Sequence, residues 1–231
     1  SKIHIPAAID EAKNKYPLVQ FTYGRPIGVH EETFEILKTR LMEIGENVES
    51  MEEDTAVLLL GRGGRDPDAN SDFYKIARLL WEKTNYKIVE PAFMGVTNPL
   101  VNEGIERCIK LGAKKVVILP YFLFTGILIK RLEDMMVPIQ NQYSAVEIQL
   151  ADYFGYHPKL QTILIDRVEE ALRDEVKMNC DTCQYRLNVM EHIDHHHHHD
   201  HDHDHHHGHD HHHHDHHHDH EHAVQKAGDR G

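Results

Sequence analysis

Cysteine is scarce in this chain, with three thiols in 231 residues, too few for the disulfide framework of a small secreted protein and in keeping with a reducing compartment. Long apolar runs are missing as well. No stretch approaches the roughly 18 to 20 residues of a membrane span, and the first residues carry no basic region followed by an apolar signal core. Positive charge is in deficit, with 25 Lys and Arg against 38 Asp and Glu and a formal net charge of −13. That balance argues against nucleic acid as a partner. These absences leave a soluble cytoplasmic protein, without membrane or nucleic-acid partners, large enough for one ordinary domain or one and a half smaller ones. The chain opens at Ser1 with no methionine, in a stretch that reads as the interior of a domain.

Histidine, in contrast, is abundant, and nearly all of it lies in one tract. Residues 195–222 hold 20 histidines in 28 positions: His195, His196, His197, His198, His199, His201, His203, His205, His206, His207, His209, His211, His212, His213, His214, His216, His217, His218, His220 and His222. Six Asp and Glu221 are interleaved and account for −7 of the net charge. With nothing apolar to form a core, the tract is expected to be disordered when metal-free. An expression tag would be shorter, would lack the acids, and would not be followed by the further sequence 223–231. Neutral imidazoles, with an ordinary pKa near ~6.5, bind nickel, copper, zinc and cobalt. Affinity order alone does not name the cargo.

The rest of the chain contains an internal repeat. At a constant sequence offset of 127, Tyr16 meets Tyr143, Val19 meets Val146, Phe21 meets Ile148, Gly28 meets Gly155, His30 meets His157, Ile36 meets Ile163 and Arg40 meets Arg167, without a gap. Both copies read as a strand (16–23 in the first) leading through Gly-x-His into an apolar-periodic helix. A repeat changes the fold assignment and is weighed first. The strand near Asp54 has no earlier counterpart at this offset, which predicts about 75 to 85 further residues upstream, on the scale of an ordinary domain.

The second copy alternates cleanly. Short Val- and Ile-rich runs at 55–60, 86–93, 115–122 and 146–150 have the character of buried parallel strands. Helical patterns at 71–83, 99–111, 128–140 and 158–175 lie between and after them, the second ending at Gly112 as a C-cap and the last opening on a proline. Alternating β and α segments give a parallel sheet covered on both faces, with ligands at the carboxyl ends of its strands. The residues just after each strand are therefore the informative ones.

Gly61-Arg62-Gly63-Gly64-Arg65-Asp66-Pro67-Asp68 follows the first of these strands. It lacks the ending of a nucleotide P-loop and the spacing of a dinucleotide fingerprint. Two readings stay open: a tight turn with solvated arginines, or Arg62 and Arg65 binding a carboxylate-rich ligand through their guanidinium forks. His30 and His157, matched across the repeat at helix starts, read as caps rather than metal ligands.

The order strand, G-x-G-x-R-D, helix, then Pro91-Ala92-Phe93-Met94-Gly95, then Gly112-Ala113-Lys114-Lys115-Val116-Val117-Ile118-Leu119-Pro120-Tyr121-Phe122-Leu123-Phe124-Thr125-Gly126 resembles the class II chelatases, specifically the CbiX-type sirohydrochlorin cobaltochelatases. Lys2-Ile3-His4-Ile5-Pro6 and Phe21-Thr22-Tyr23-Gly24-Arg25-Pro26-Ile27-Gly28-Val29-His30 resemble the same family, and the tail its long form. The resemblance covers residues 1–194. It implies α/β, flavodoxin-like lobes with parallel sheets facing a cleft: the end of an N-terminal lobe at 1–50 and a complete C-terminal lobe at 51–177. A Cys-x-x-Cys segment (178–194), the metal-binding tail (195–222) and a terminal stretch (223–231) complete the division.

In such chelatases the active lobe carries a histidine in a G-H-G-S-R loop, a glutamate after the second strand and a histidine in a Gly-His pair after the third. Imidazole ligates the incoming metal, and a carboxylate or imidazole accepts the protons that the pyrrole nitrogens lose. The matching positions here are Arg62, Gly95 and Ile127, so the complete lobe is the degenerate one, and no catalytic residue is expected in the chain. By the offset, the second histidine would fall immediately before Ser1. His4, just beyond that position, is a candidate for touching the substrate, with Arg62 and Arg65.

Cys180 and Cys183 form a half-site that, from the residues alone, suits zinc, a redox dithiol or an iron-sulfur cluster. The resemblance implies a redox-active [4Fe-4S] centre there, with the remaining ligands from elsewhere or from a homodimer formed through this segment. The activity implied is ATP-independent insertion of Co²⁺ into sirohydrochlorin on the anaerobic route to cobalamin, with the tail as a metal reservoir. Iron or nickel insertion on the same scaffold, and non-enzymatic metal storage or delivery, are the competing readings.

Overall fold

The computed structural model describes residues 4–50 and 52–173. Cys180, Cys183, the histidine tract and the segments 178–194, 195–222 and 223–231 lie outside the described residues.

Four strands form the sheet: β1 (Glu52–Gly61), β2 (Tyr86–Phe93), β3 (Lys115–Pro120) and β4 (Glu147–Leu150). They pair in the order β2-β1-β3-β4, every neighbouring pair parallel. Each crossover carries a helix, α3 (Pro67–Glu82), α4 (Val101–Lys110) and α5 (Ile127–Gln142), and α6 (Pro158–Leu172) follows β4. Ahead of the sheet come α1 (His4–Lys15) and α2 (Glu31–Glu43). The parallel α/β class expected from the sequence is what the structure has.

Strand residues alternate between two cores, as the two-residue period of a pleated strand requires. Val57, Leu59, Val117 and Leu119 face one layer with Phe73, Ile76 and Leu80 of α3 and Phe34, Leu37 and Leu41 of α2. Ala56, Leu58, Leu60, Val116 and Ile118 face the other with Ile105 and Cys108 of α4 and Leu132 and Ile139 of α5. Each buried Leu or Ile contributes about 1.5–3 kcal/mol relative to exposure. Because both faces are covered, the central strands β1 and β3 are apolar through their paired cores.

Several expectations need correction. The run 16–23 forms no strand. Its counterpart β4 is held by backbone pairing to β3 from Lys115 to Ile118, and among the described residues nothing offers 16–23 such a ladder. An unpaired strand has no hydrogen-bond partner to fix it. Leu18 is accordingly 100% exposed and Val19 52%. No motif in the sequence marks α1, although adding the repeat offset to its bounds gives 131–142, the greater part of α5. The helix expected from 71 starts earlier, because the Asp66 side chain accepts from the Asp68 amide and Pro67 fills the first turn. The third strand stops at Pro120, short of the expected end at 122.

The two copies of the repeat meet at α2 and α6. His30 caps α2 by accepting the Glu32 amide on Nδ1 at 3.1 Å, and His157 caps α6 by accepting the Lys159 amide on Nδ1 at 3.1 Å. Gly28 and Gly155, just before each cap, have φ of 58° and 57°, the left-handed region that glycine enters without a Cβ penalty. Arg40 on α2 donates to the Phe154 carbonyl at 2.6 Å, while Arg167 on α6 donates to the Ile27 carbonyl at 2.7 Å. Phe154 and Ile27 are themselves related by the repeat offset, so each copy's arginine holds the other copy's turn. Glu32 and Lys159, related in the same way, pair with each other at 2.9 Å. Reciprocal contacts of this kind are what a two-fold relation produces.

Candidate functional site

The four parallel strands bring four loops to one edge of the sheet. The first, after β1, begins at Gly61, whose missing side chain leaves room for the Phe73 ring. Gly63 has φ of 80°, and a Cβ there would run into the carbonyl oxygen of Gly95. The first and second loops thus approach backbone to backbone, and the Met94 amide donates to the Gly61 carbonyl at 2.9 Å. Asn70 Nδ2 donates to the Gly64 carbonyl at 2.9 Å. The amino end of α3 is taken by the Asp66 carboxylate, which occupies the position a phosphate would need and repels it, so the loop does not suit a nucleotide. Arg62 and Arg65 are exposed, and neither makes an ion pair or side-chain hydrogen bond among the described residues. They are left available to an outside anion.

Val96, in the second loop, sits at φ 73° while 70% exposed. A β-branched residue in that region is strained, and such strain persists where surrounding structure fixes it, often beside a functional surface.

The third and fourth loops run together. The Tyr121 amide continues the ladder to the Leu60 carbonyl at 2.8 Å, and Phe154 and Gly155 donate to the carbonyls of Phe122 and Leu123 at 3.0 and 2.9 Å. Beneath them a line of rings crosses the sheet edge: Phe93 to Phe73 at 5.1 Å, Phe73 to Tyr121 at 5.6 Å and Tyr121 to Phe154 at 5.0 Å. Above this floor, Phe124 and Tyr156 pack ring to ring at 5.4 Å yet remain exposed, Tyr156 at 95%. Leu123 and Ile127 add exposed apolar surface beside them. Apolar and aromatic groups with two free guanidinium groups on the same edge suit a flat, apolar molecule bearing carboxylates.

Arg62, Gly95 and Ile127, at the positions where the resemblance places an active lobe's ligands, each follow a different strand on this edge. None is an ionisable metal ligand, and among the described residues no group of three His, Cys, Asp or Glu is arranged to hold a metal. His4 opens α1, and its side chain is outside the description. His30 and His157 are spent as caps; the Nε2 of His30 also meets Asp166 at 3.0 Å. Burial, and then the nearby Arg40 guanidinium, lower the His157 pKa from its ordinary value, which keeps the imidazole neutral and able to accept. Cys108 is buried in the α4 core, where desolvation and then Glu90 push its thiol up to about 12. It is a packing residue.

No sequence motif marks Phe124, Tyr156 or Val96 as a site residue. The available signal was position, since aromatic side chains in loops that follow strands are not needed by the core. No property of Val96 in the sequence marks its left-handed backbone.

Known proteins share this construction. A sirohydrochlorin cobaltochelatase of Priestia megaterium is 77% identical over 196 residues, which is 85% of this chain and 64% of that protein. The chain therefore spans less than two thirds of that relative's length. The structure of SirB from Bacillus subtilis with Fe³⁺ superposes with a TM-score of 0.63 at 32% identity, covering 75% of this chain and 67% of that one. The sirohydrochlorin chelatase SirB from Bacillus subtilis subspecies spizizenii, in complex with cobalt, gives a TM-score of 0.58 at 27% identity, covering 75% and 64%. The sequence model of the CbiX family matches residues 1–44 and 56–171, the same α/β framework and loops just described, and the chain belongs to the CbiX family.

Proposed function

We propose that this chain is the substrate-holding and metal-gathering part of a sirohydrochlorin cobaltochelatase, which inserts Co²⁺ without ATP on the anaerobic route to cobalamin. The observation that carries the reading is the 77% identity to the Priestia megaterium cobaltochelatase over 85% of the chain. The loop edge supports it. Phe124 and Tyr156 lie against the face of the macrocycle, and Arg62 and Arg65 pair with its carboxylates, with His4 at the margin. The hydrogen-bonded first and second loops hold this surface in place before substrate arrives, which limits the ordering that binding would otherwise require.

Insertion needs a ligand to receive Co²⁺ and a base to take two pyrrole protons. Arg62, Gly95 and Ile127 supply neither. The proton-accepting groups are assigned to a first lobe, of which 1–50 is the closing part, and 51–177 is the partner lobe. The tract 195–222 acts as a reservoir that raises the local supply of divalent ions, Co²⁺ among them. Cys180 and Cys183 offer two thiolates, half of what a [4Fe-4S] cluster takes, and buried Cys108 cannot add a third. The remaining ligands would come from elsewhere or from a homodimer formed through this segment. No step of the insertion is routed through it.

Iron remains the second reading, because a related scaffold holds Fe³⁺ in the Bacillus subtilis SirB structure. The test is the visible absorption of sirohydrochlorin with Co²⁺, Ni²⁺ or Fe²⁺ supplied in turn. The chain 1–231 is expected to bind several equivalents of metal and to quench the macrocycle's fluorescence, without metallating it. Phe124→Ala with Tyr156→Ala is expected to weaken that quenching about tenfold or more, on the scale of losing a stacked aromatic pair. Turnover by this chain at the rate of the longer Priestia megaterium enzyme would overturn the division of labour, and unaltered quenching by the double variant would overturn the platform.

A further inference from the structure

Two residues of the second loop stand against the preference of their own backbone positions. Val96 has φ of 73°, a conformation that suits glycine or asparagine and that a β-branched side chain enters only with strain. Among the described residues it is the one non-glycine residue with positive φ. Four positions on, Leu100 is the N-cap of α4, where serine, threonine, aspartate or asparagine would satisfy an amide of the first turn and leucine cannot. The Glu103 carboxylate, reaching back to the Leu100 amide at 2.6 Å, compensates in part. Burial offsets neither choice, since Val96 is 70% and Leu100 41% exposed. A single apolar residue in water needs no explanation. Two in one loop, each where glycine or a polar residue would fold better, are the pattern that a contact surface leaves.

The loop is held firmly enough to keep the strain. The Met94 amide donates to the Gly61 carbonyl and the Phe93 amide to the Pro99 carbonyl, both at 2.9 Å, and Phe93 bridges to Leu100. Both ends of 94–99 are fixed by these bonds. A Cβ on Gly95 would meet nothing within 4 Å, so the ground beside Val96 is open to a ligand. In the sheet order β2-β1-β3-β4, this loop follows β2, on one side of Arg62 and Arg65. Phe124 follows β3 and Tyr156 follows β4, on the other side. Neighbouring strands lie about 4.8 Å apart, so the four loops are spread over roughly 14 Å, the scale of a tetrapyrrole with its side arms. We infer that Val96 and Leu100 touch the substrate, forming an apolar rim on the β2 flank that bears on the macrocycle opposite Phe124 and Tyr156, with Arg62 and Arg65 between. The strain at Val96 then holds a branched apolar group in water until the macrocycle covers it.

This inference rests on the proposed function, because the ligand is the same macrocycle. Quenching of sirohydrochlorin fluorescence by the chain 1–231 is titrated beside thermal unfolding, for the parent and for Val96→Gly, Val96→Asn and Leu100→Ser. Glycine and asparagine accept the left-handed backbone, so neither Val96 variant is expected to melt below the parent, and Val96→Gly is expected to melt about 2–4 °C above it. Leu100→Ser supplies the missing cap and is expected to melt higher as well. All three are expected to bind the macrocycle about threefold to tenfold more weakly, through lost apolar contact, whereas Val96→Ile is expected to bind as the parent does. Stability gained together with affinity lost is a result that residues serving only the fold do not give. Unchanged affinity in Val96→Gly and Leu100→Ser, with quenching by the parent intact, overturns this inference alone. So does lower melting accompanied by weaker binding, which would make the two residues structural. No quenching by the parent overturns the proposed function and this inference with it.

Discussion

The helices α2 and α6 have the same sequence plan and opposite fates. Both begin with a left-handed glycine shortly before a histidine cap, and both send an arginine to the other's turn. One has its apolar stripe in a core and the other has it in water. Local sequence therefore sets where a helix starts and how its end is tied. Burial of its stripe depends on the sheet it lies against, which for α2 is formed by β1 and β3.

The largest expected effect separates the two stripes. Leu37→Ala or Leu41→Ala should lower stability by about 2–5 kcal/mol in urea unfolding, through lost burial and a residual cavity. Leu164→Ala or Val168→Ala in the same chain should change it by less than about 1 kcal/mol, as exposed positions do. Equal losses would mean that α6 is already covered in solution. Next come the arginines. Arg40→Ala and Arg167→Ala should each cost about 1.5–3 kcal/mol, because each removes charge-assisted hydrogen bonds to the other copy's turn. A large difference between them would break the reciprocity, whereas a double variant less destabilised than the sum of the singles would show coupling.

Smaller again, Gly28→Ala and Gly155→Ala should each destabilise by about 1 kcal/mol, since both require the left-handed backbone. Thermal unfolding of the two variants side by side measures how alike the turns are. The smallest effect is a pH dependence at His157. Its folded pKa lies below the ordinary value, so the unfolded state binds more protons at intermediate pH. The cap's contribution, about 1 kcal/mol, is complete above about pH 6.5 and is lost as pH falls through the folded value. His157→Asn, which caps without titrating, should flatten this part of the melting-temperature profile between about pH 7.5 and 5. A profile unchanged by that substitution would remove His157 as its source.

Much of the fold is readable in advance because parallel strands buried on both faces are short and apolar, as at Val57 to Leu60 and Val116 to Leu119. The caps at His30 and His157 are readable for a similar local reason. The segment 16–23 misleads because its alternation is that of a strand, while a strand exists only when a neighbour accepts its hydrogen bonds. At the candidate site, Arg62 and Arg65 are visible as charges in a glycine-rich loop. Phe124 and Tyr156 are not, since they lie on separate loops, far apart in sequence, and meet only because β3 and β4 are adjacent.

The sequence by itself determined the repeat, the strand and helix periods, the helix caps and the histidine-rich composition of the tail, all of which depend on neighbours within a few residues or on composition. Tertiary structure alone decided which copy's helix fills which core, which aromatic rings stack across loops, and why Gly63 must remain glycine against the Gly95 carbonyl. Those features depend on backbone brought together from distant parts of the chain.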